Sequence, residues 1–270
     1  MFDNRPIGVL DSGLGGLTAV RELFRALPHE SVVFFGDTAR VPYGTRGVDT
    51  ILRYTKQDIS FLQSLDIKAL VIACGTISAT AADLFSAYPI PLIGVVDPAA
   101  HAAARATKTG RIGLMGTEAS VRSGAYETQL HALHPTATVA AVACPLLVPL
   151  VENGRFQPGD RVTELVLEEY LAPIHRADVD TLILGCTHYP LLKPLLRKLL
   201  GPSVTLIDPG YETAHCCRDL LSQRGLIADP AEQGEYAYYV SDSVEPFARF
   251  SSFFLAGQAA GDVKKVDIDL

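Results

Sequence analysis

The sequence predicts an α/β protein of two pseudo-symmetric halves, each built on a parallel sheet, with the active site in the cleft between them. Three observations carry this. Short runs of branched apolar residues alternate with segments at helical spacing, the pattern of parallel strands joined by right-handed crossovers. Landmarks of the first half recur in the same order in the second: Ile7 and Ile112, Val32 and Val139, Cys74 and Cys186, Asp97 and Asp208 lie 105, 107, 112 and 111 residues apart. A near-constant period reports repeated structural units. Finally, Leu70-Val71-Ile72-Ala73-Cys74-Gly75-Thr76 and Leu182-Ile183-Leu184-Gly185-Cys186-Thr187-His188 each close a buried strand with a small residue and a cysteine. Ligands of open α/β sheets collect at the carboxyl ends of strands, so both thiols are expected at one cleft.

Taken in order, Ile7-Gly8-Val9-Leu10 is a strand that runs into Asp11-Ser12-Gly13-Leu14-Gly15-Gly16, and 17–27 is a helix. Val32-Val33-Phe34-Phe35 is the second strand, followed by Gly36-Asp37-Thr38, a loop with Pro42-Tyr43-Gly44, and a helix over about 49–65. The first cysteine strand comes next, then a helix near 77–88 and a strand over 92–96 closing in Asp97-Pro98. The second half repeats this with strands at 111–115 and 139–143, the second cysteine strand, and Asp208-Pro209. Helical spacing over 213–223 precedes a mixed tail, read as packing that completes the first half. The expected domains are therefore 1–97 plus 208–270, and 98–207.

Composition narrows the function. With 270 residues, 48% hydrophobic and 20% charged, the chain has the make-up of an ordinary globular protein with a well-buried core. The start, Met1-Phe2-Asp3-Asn4-Arg5-Pro6, has no apolar signal segment. The longest apolar stretch, 139–151, holds Cys144, Pro145 and Pro149 and is too short to cross a bilayer. A cytoplasmic location and no membrane partner are expected. A net charge of −7 without a basic stripe argues against nucleic acid as primary ligand. Five cysteines, an odd number, disfavour a disulfide framework. The glycines at 13, 15 and 16 fit neither a dinucleotide nor a phosphate loop, Cys186 and His188 lack the second pair a metal site needs, and adjacent Cys216 and Cys217 read as structural thiols. No cofactor or metal is called for.

Two thiols facing one carbon suit a reaction that removes a proton from one face and delivers another to the opposite face, because groups near pKa ~8.5 exchange roles readily. Racemisation next to a carboxylate is the obvious case. A helix amino terminus behind each cysteine is expected to favour its thiolate. Ser12, Thr76, Thr117 and Thr187 at strand ends suit a ligand rich in carboxylate oxygens. Glu152, after an apolar, proline-punctuated run, is expected at a strand end by the site.

Asp11-Ser12-Gly13-Leu14-Gly15-Gly16, Pro42-Tyr43-Gly44, Ala73-Cys74, Pro149-Leu150-Val151-Glu152 and Gly185-Cys186-Thr187-His188-Tyr189-Pro190 together resemble the cofactor-independent aspartate/glutamate racemase superfamily, and within it the glutamate racemases, over about residues 5–220. The resemblance implies interconversion of L- and D-glutamate, supplying D-glutamate for peptidoglycan, with glutamate as the small-molecule partner and a homodimer left open. It implies that Cys186 takes the α-proton of L-glutamate and Cys74 that of D-glutamate. Asp11 and His188 would assist beside Cys74 and Cys186, with Glu152 a further acid. Asp11, Ser12, Tyr43, Gly44, Gly75, Thr76, Thr117, Thr187 and His188 would hold the substrate.

One position departs from the family pattern. The residue after the first cysteine is Asn in the family and Gly75 here, so a side-chain amide to the substrate's polar head is missing. The expectation is a weakened or shifted activity that Gly75→Asn would raise. Competing readings are a superfamily member acting on aspartate, a hydantoin or a malonate, and a binding protein without catalysis. A decarboxylating relative needs one thiol, which the retained pair argues against.

Overall fold

The computed structural model describes residues 2–256 and 261–268; 257–260 and 269–270, in the tail expected to complete the first half, fall outside them. Ten strands are described: β1 (Ile7–Asp11), β2 (Val32–Gly36), β3 (Ala69–Ile72), β4 (Leu92–Gly94), β5 (Arg111–Gly116), β6 (Thr138–Ala143), β7 (Thr181–Gly185), β8 (Thr205–Ile207), β9 (Tyr236–Val240) and β10 (Val263–Lys265). They form two sheets, in the orders β10-β9-β2-β1-β3-β4 and β6-β5-β7-β8. Every paired strand is parallel to its neighbour. Removing the two tail strands leaves β2-β1-β3-β4 against β6-β5-β7-β8, the same order twice. The internal duplication read from landmark spacing is thus a duplication of topology, and it gives β3 and β7, which precede the two cysteines, equivalent places. β1, β3 and β7 are buried along their whole length, as strands covered on both faces must be.

Four boundaries differ from the sequence expectations. The helix after Cys74 covers only Gly75–Thr80, and a 3₁₀ segment, Ala82–Ala87, replaces its expected continuation. Thr80 donates its hydroxyl hydrogen back to the Thr76 carbonyl, and Ala81 leaves helical geometry at φ −121°, so the ladder stops there. β4 ends at Gly94 because the Val95 N–H donates to Ser78 Oγ instead of extending the sheet. Asp97-Pro98 and Asp208-Pro209 are helix starts, in Val96–Ala106 and Pro209–Arg224, and not strand ends. Asp208 caps the second of these by accepting from the Gly210 and Tyr211 N–H groups, and proline is tolerated in a first turn, where its missing donor would have no partner. Glu152 is the last residue of the helix Leu147–Glu152 and lies on no strand.

The tail resolves into β9, the helix Glu245–Phe254 and β10. β9 pairs with β2 and β10 with β9, so the last strands extend the sheet begun by the first. No helix of the described residues is long and apolar enough to cross a membrane.

Candidate active site

Loops at the carboxyl ends of both sheets converge on one cavity of about 350 Å³. Ser12, Tyr43, Gly44, Cys74, Gly75 and Thr76 line it from the first half, and Thr117, Glu152, Cys186, Thr187 and His188 from the second. Cys74 and Cys186 therefore face one space. The halves are tied together around it. Thr18 donates from its hydroxyl to the Thr187 carbonyl at 2.9 Å, the Ala119 N–H donates to the Gly44 carbonyl at 3.0 Å, and the Thr76 and Thr117 hydroxyls are hydrogen-bonded at 3.0 Å. Thr117 also caps the helix Glu118–Ser123, its oxygen accepting from the Ser120 N–H. A wider groove, of about 870 Å³, is lined by His101, Arg105, Glu212, His215 and Cys216 and reaches neither thiol of the pair.

The two sulfurs sit in unlike surroundings. Cys74 immediately precedes the helix Gly75–Thr80 and donates its thiol hydrogen to Ser12 Oγ at 3.3 Å. Behind it Asp11 closes β1, fully buried. One carboxyl oxygen accepts from the Gly13 and Gly16 N–H groups at 3.2 and 3.0 Å, and the other, Oδ1, has no hydrogen-bond partner among the described residues. Burial raises the Asp11 carboxyl above its usual range, although His188 and the backbone bonds pull the other way. Burial first, and then the neighbouring Asp11 charge, push the Cys74 thiol up to about 12. The expected helix-terminus effect is outweighed here, because a six-residue helix offers little dipole against full desolvation and an adjacent acid.

On the other side, His188 Nδ1 lies 3.8 Å from Cys186 Sγ and 3.5 Å from Thr187 Oγ1, while Nε2 lies 3.1 Å from Glu152 Oε1. The imidazole is buried and packs edge-on against Phe254 of the tail helix, with ring centroids 5.3 Å apart. Burial alone would lower its pKa, but its bonds to Cys186 and Glu152 outweigh that and hold it up to about 10. Those bonds favour the protonated ring, which lies between a sulfur and a half-exposed carboxylate.

Two expected site residues take other positions. Asp11 does not line the cavity; it lies beneath the glycine loop, and its charge acts on both Cys74 and His188. Tyr43 lines the cavity, yet its hydroxyl is turned to the buried Asp37 and Asp58. At Gly75 a side chain has no room, because a Cβ there would run into the Gly185 carbonyl oxygen at the end of β7. A side chain at 75 therefore needs the end of β7 to shift, which counts against a gain in activity from Gly75→Asn. Val41, Pro42, Pro145, Val148 and Pro149 form an apolar rim; Pro42 and Pro149 entered the sequence reading only as members of motifs, since valines and prolines carry no chemical signal of their own. The Asp37, Arg40 and Asp58 cluster was missed too, though Asp58 sits between Thr55 and Ile59 on the buried face of the helix Val48–Gln63, and an acid on a buried face implies a partner. Among the described residues no group of three or more His, Cys, Asp or Glu is placed to hold a metal ion.

Residues 7–217 match the family model described as Asp/Glu/Hydantoin racemase. A glutamate racemase of Geobacter metallireducens is 44% identical over 266 residues, covering 98% of this chain and 97% of that relative. Among solved structures, the glutamate racemase isoform RacE1 of Bacillus anthracis superposes with a TM-score of 0.92 at 40% identity, covering 98% of both chains. The glutamate racemase of Francisella tularensis, in complex with D-glutamate, superposes at 0.91 with 37% identity and 99% coverage of both.

Proposed function

The chain belongs to the Asp/Glu/Hydantoin racemase family, and from that premise we propose that it interconverts L- and D-glutamate by passing the α-proton between two thiols. The observation that carries this is the pair Cys74 and Cys186, at equivalent strand ends of duplicated sheets, lining one cavity. The likeness over nearly the whole chain to glutamate racemases, one of them holding D-glutamate, supports the substrate.

In this reading Cys186 removes the α-proton of L-glutamate while Cys74, a neutral thiol at rest, gives its hydrogen to the opposite face. The reverse direction exchanges the roles. The His188 imidazolium puts a positive charge beside the sulfur that takes up the proton, and Glu152 balances that charge and fixes the tilt of the ring. Asp11 keeps Cys74 protonated between turnovers. Ser12, Gly44, Gly75, Thr76, Thr117 and Thr187 hold the amino acid's polar groups through hydroxyls and backbone. The domains 1–97 plus 208–270 and 98–207 supply one thiol each. The reading places the protein in the cytoplasm as a source of D-glutamate for peptidoglycan.

Circular dichroism of the purified protein with each enantiomer tests the assignment. Either form of glutamate is expected to decay to an optically silent mixture, with no added cofactor. Equal or faster turnover of aspartate, or no turnover of glutamate, would overturn it.

A further inference from the structure

The wall of the cavity formed by Pro42, Tyr43 and Gly44 rests on a buried cluster of charges that the reaction itself does not use. Arg40 donates from Nε to Asp37 Oδ2 and from Nη2 to Asp58 Oδ1, each at 2.6 Å, and from Nη1 to Gln57 at 2.6 Å. The Tyr43 hydroxyl donates to Asp37 Oδ2 and also lies 3.0 Å from Asp58 Oδ2. Ser241, just past β9, donates to the second oxygen of Asp37 at 2.7 Å and accepts from the Ala39 N–H at 2.9 Å. Asp37 and Asp58 are completely buried.

Counting protons exposes a deficit. A tyrosine hydroxyl has one hydrogen, and here it goes to Asp37. Its contact with Asp58 Oδ2 would then join two acceptors, unless Asp58 brings a hydrogen of its own. Charge gives the same answer: one guanidinium between two buried carboxylates leaves an uncompensated anion, which a dry site does not tolerate, whereas one added proton makes the cluster neutral. The Tyr54 ring stacks on Arg40, at 4.2 Å, with Arg53 on the same ring at 5.3 Å.

We propose that Asp58 is a positioning residue of the site, protonated in the working enzyme, which with Asp37 and Arg40 fixes Tyr43 and so holds the Pro42-Tyr43-Gly44 wall against the second half. The wall meets that half where the Gly44 carbonyl accepts from the Ala119 N–H, two residues past the cavity-lining Thr117. Burial first, and then the Asp37 charge, raise the Asp58 carboxyl to about 8, in line with the proton count. The same surroundings raise Tyr43 far out of the titrating range, so its hydrogen stays in place.

The neutral amide of Asn copies a protonated Asp58, accepting from Arg40 and donating to Tyr43, so Asp58→Asn and Asp37→Asn should behave oppositely. At pH 7 we expect Asp58→Asn to keep kcat/KM within about threefold of the parent, and Asp37→Asn, which strips a charged acceptor, to lose about tenfold or more, chiefly in KM. A second readout needs no catalysis. A carboxyl raised in the folded state binds its proton more tightly than the unfolded chain does, so it weakens the fold as pH climbs from about 4 towards 8. The melting temperature of Asp58→Asn should therefore gain on the parent between pH 5 and pH 8. Equal harm from both amides, harm from Asp58→Asn alone, or a gap in Tm that does not change with pH would each overturn the proposal. The kinetic arm rests on the racemase reading; the melting arm does not, so a parent protein without turnover would sink that reading and leave this one standing on its melting curves.

Discussion

Cys74 and Cys186 end equivalent strands in sheets of the same order, yet the charges around them differ in sign. Beside Cys74 is a buried acid with one oxygen unpartnered, and the thiol is held near 12. Beside Cys186 is a buried imidazole whose bonds to the thiol and to Glu152 raise it to about 10 and favour its cation. Duplication supplied the geometry, two sulfurs facing one space, and left the assignment of the resting proton to residues the two halves do not share. The proposed two-thiol reaction, running in both directions, needs one thiol loaded and one ready. Here that difference is built into the surroundings, since the two groups are chemically identical.

The largest effect that breaks the comparison is removal of either sulfur. Cys74→Ser and Cys186→Ser each replace a titrating group with a hydroxyl that does not titrate, and each should lower kcat for racemisation by about 10²–10⁴-fold in both directions, the usual worth of a placed acid or base. Steady-state dichroism measures it. If one serine variant kept near-parental rates, the two sides would not be partners.

Next comes the cation. His188→Asn should cost about ten- to a hundredfold in kcat/KM, the worth of a hydrogen bond to a charged group, with a larger loss when L-glutamate is the substrate than when D-glutamate is. The charge itself is visible by nitrogen NMR, where the ring should remain doubly protonated at pH 8. The linkage sign follows from a folded-state pKa raised above the ordinary 6.5. The stability the group contributes is complete below about pH 6.5 and is lost as pH rises towards 10, so the Tm advantage of the parent over His188→Asn should shrink across that window. A neutral ring at pH 7 would erase the asymmetry described above.

The smallest effect is expected where the two sides touch. Gly75→Asn forces a Cβ against the Gly185 carbonyl oxygen, and overpacking of this kind costs about 1–3 kcal/mol. We expect a lower Tm and kcat/KM reduced by about tenfold. A gain in glutamate turnover would instead mean that the end of β7 gives way and the amide finds the substrate.

Much of this architecture was legible before any coordinates. Strand ends at Asp11, Cys74, Thr117 and Cys186 follow from apolar runs closed by small residues, and the recurrence of four landmarks announced the repeated topology. What was not legible depends on contacts between segments far apart in sequence. The Asp-Pro pairs look like strand terminators until Asp208 is seen capping a helix. Glu152 looks like a strand-end acid until its helix is seen delivering it to His188, 36 residues away. Gly75 reads as a lost amide, and only the carbonyl of Gly185 reveals that its space is taken. The thiol at Cys74 reads as activated by a helix terminus, and only its burial beside Asp11 reverses that. Periodicity encodes elements and their order, whereas desolvation and close approach belong to the folded packing.

The central claim is that two distinct sulfurs serve the two faces of one carbon. Solvent deuterium tests it most directly: L-glutamate and D-glutamate are each incubated in D₂O and stopped early, and the label at Cα of both enantiomers is measured. The account predicts deuterium in the newly formed enantiomer and almost none in the recovered starting one, in both directions. Label entering the recovered enantiomer as fast as the product would mean that a single group attends both faces, and would contradict it.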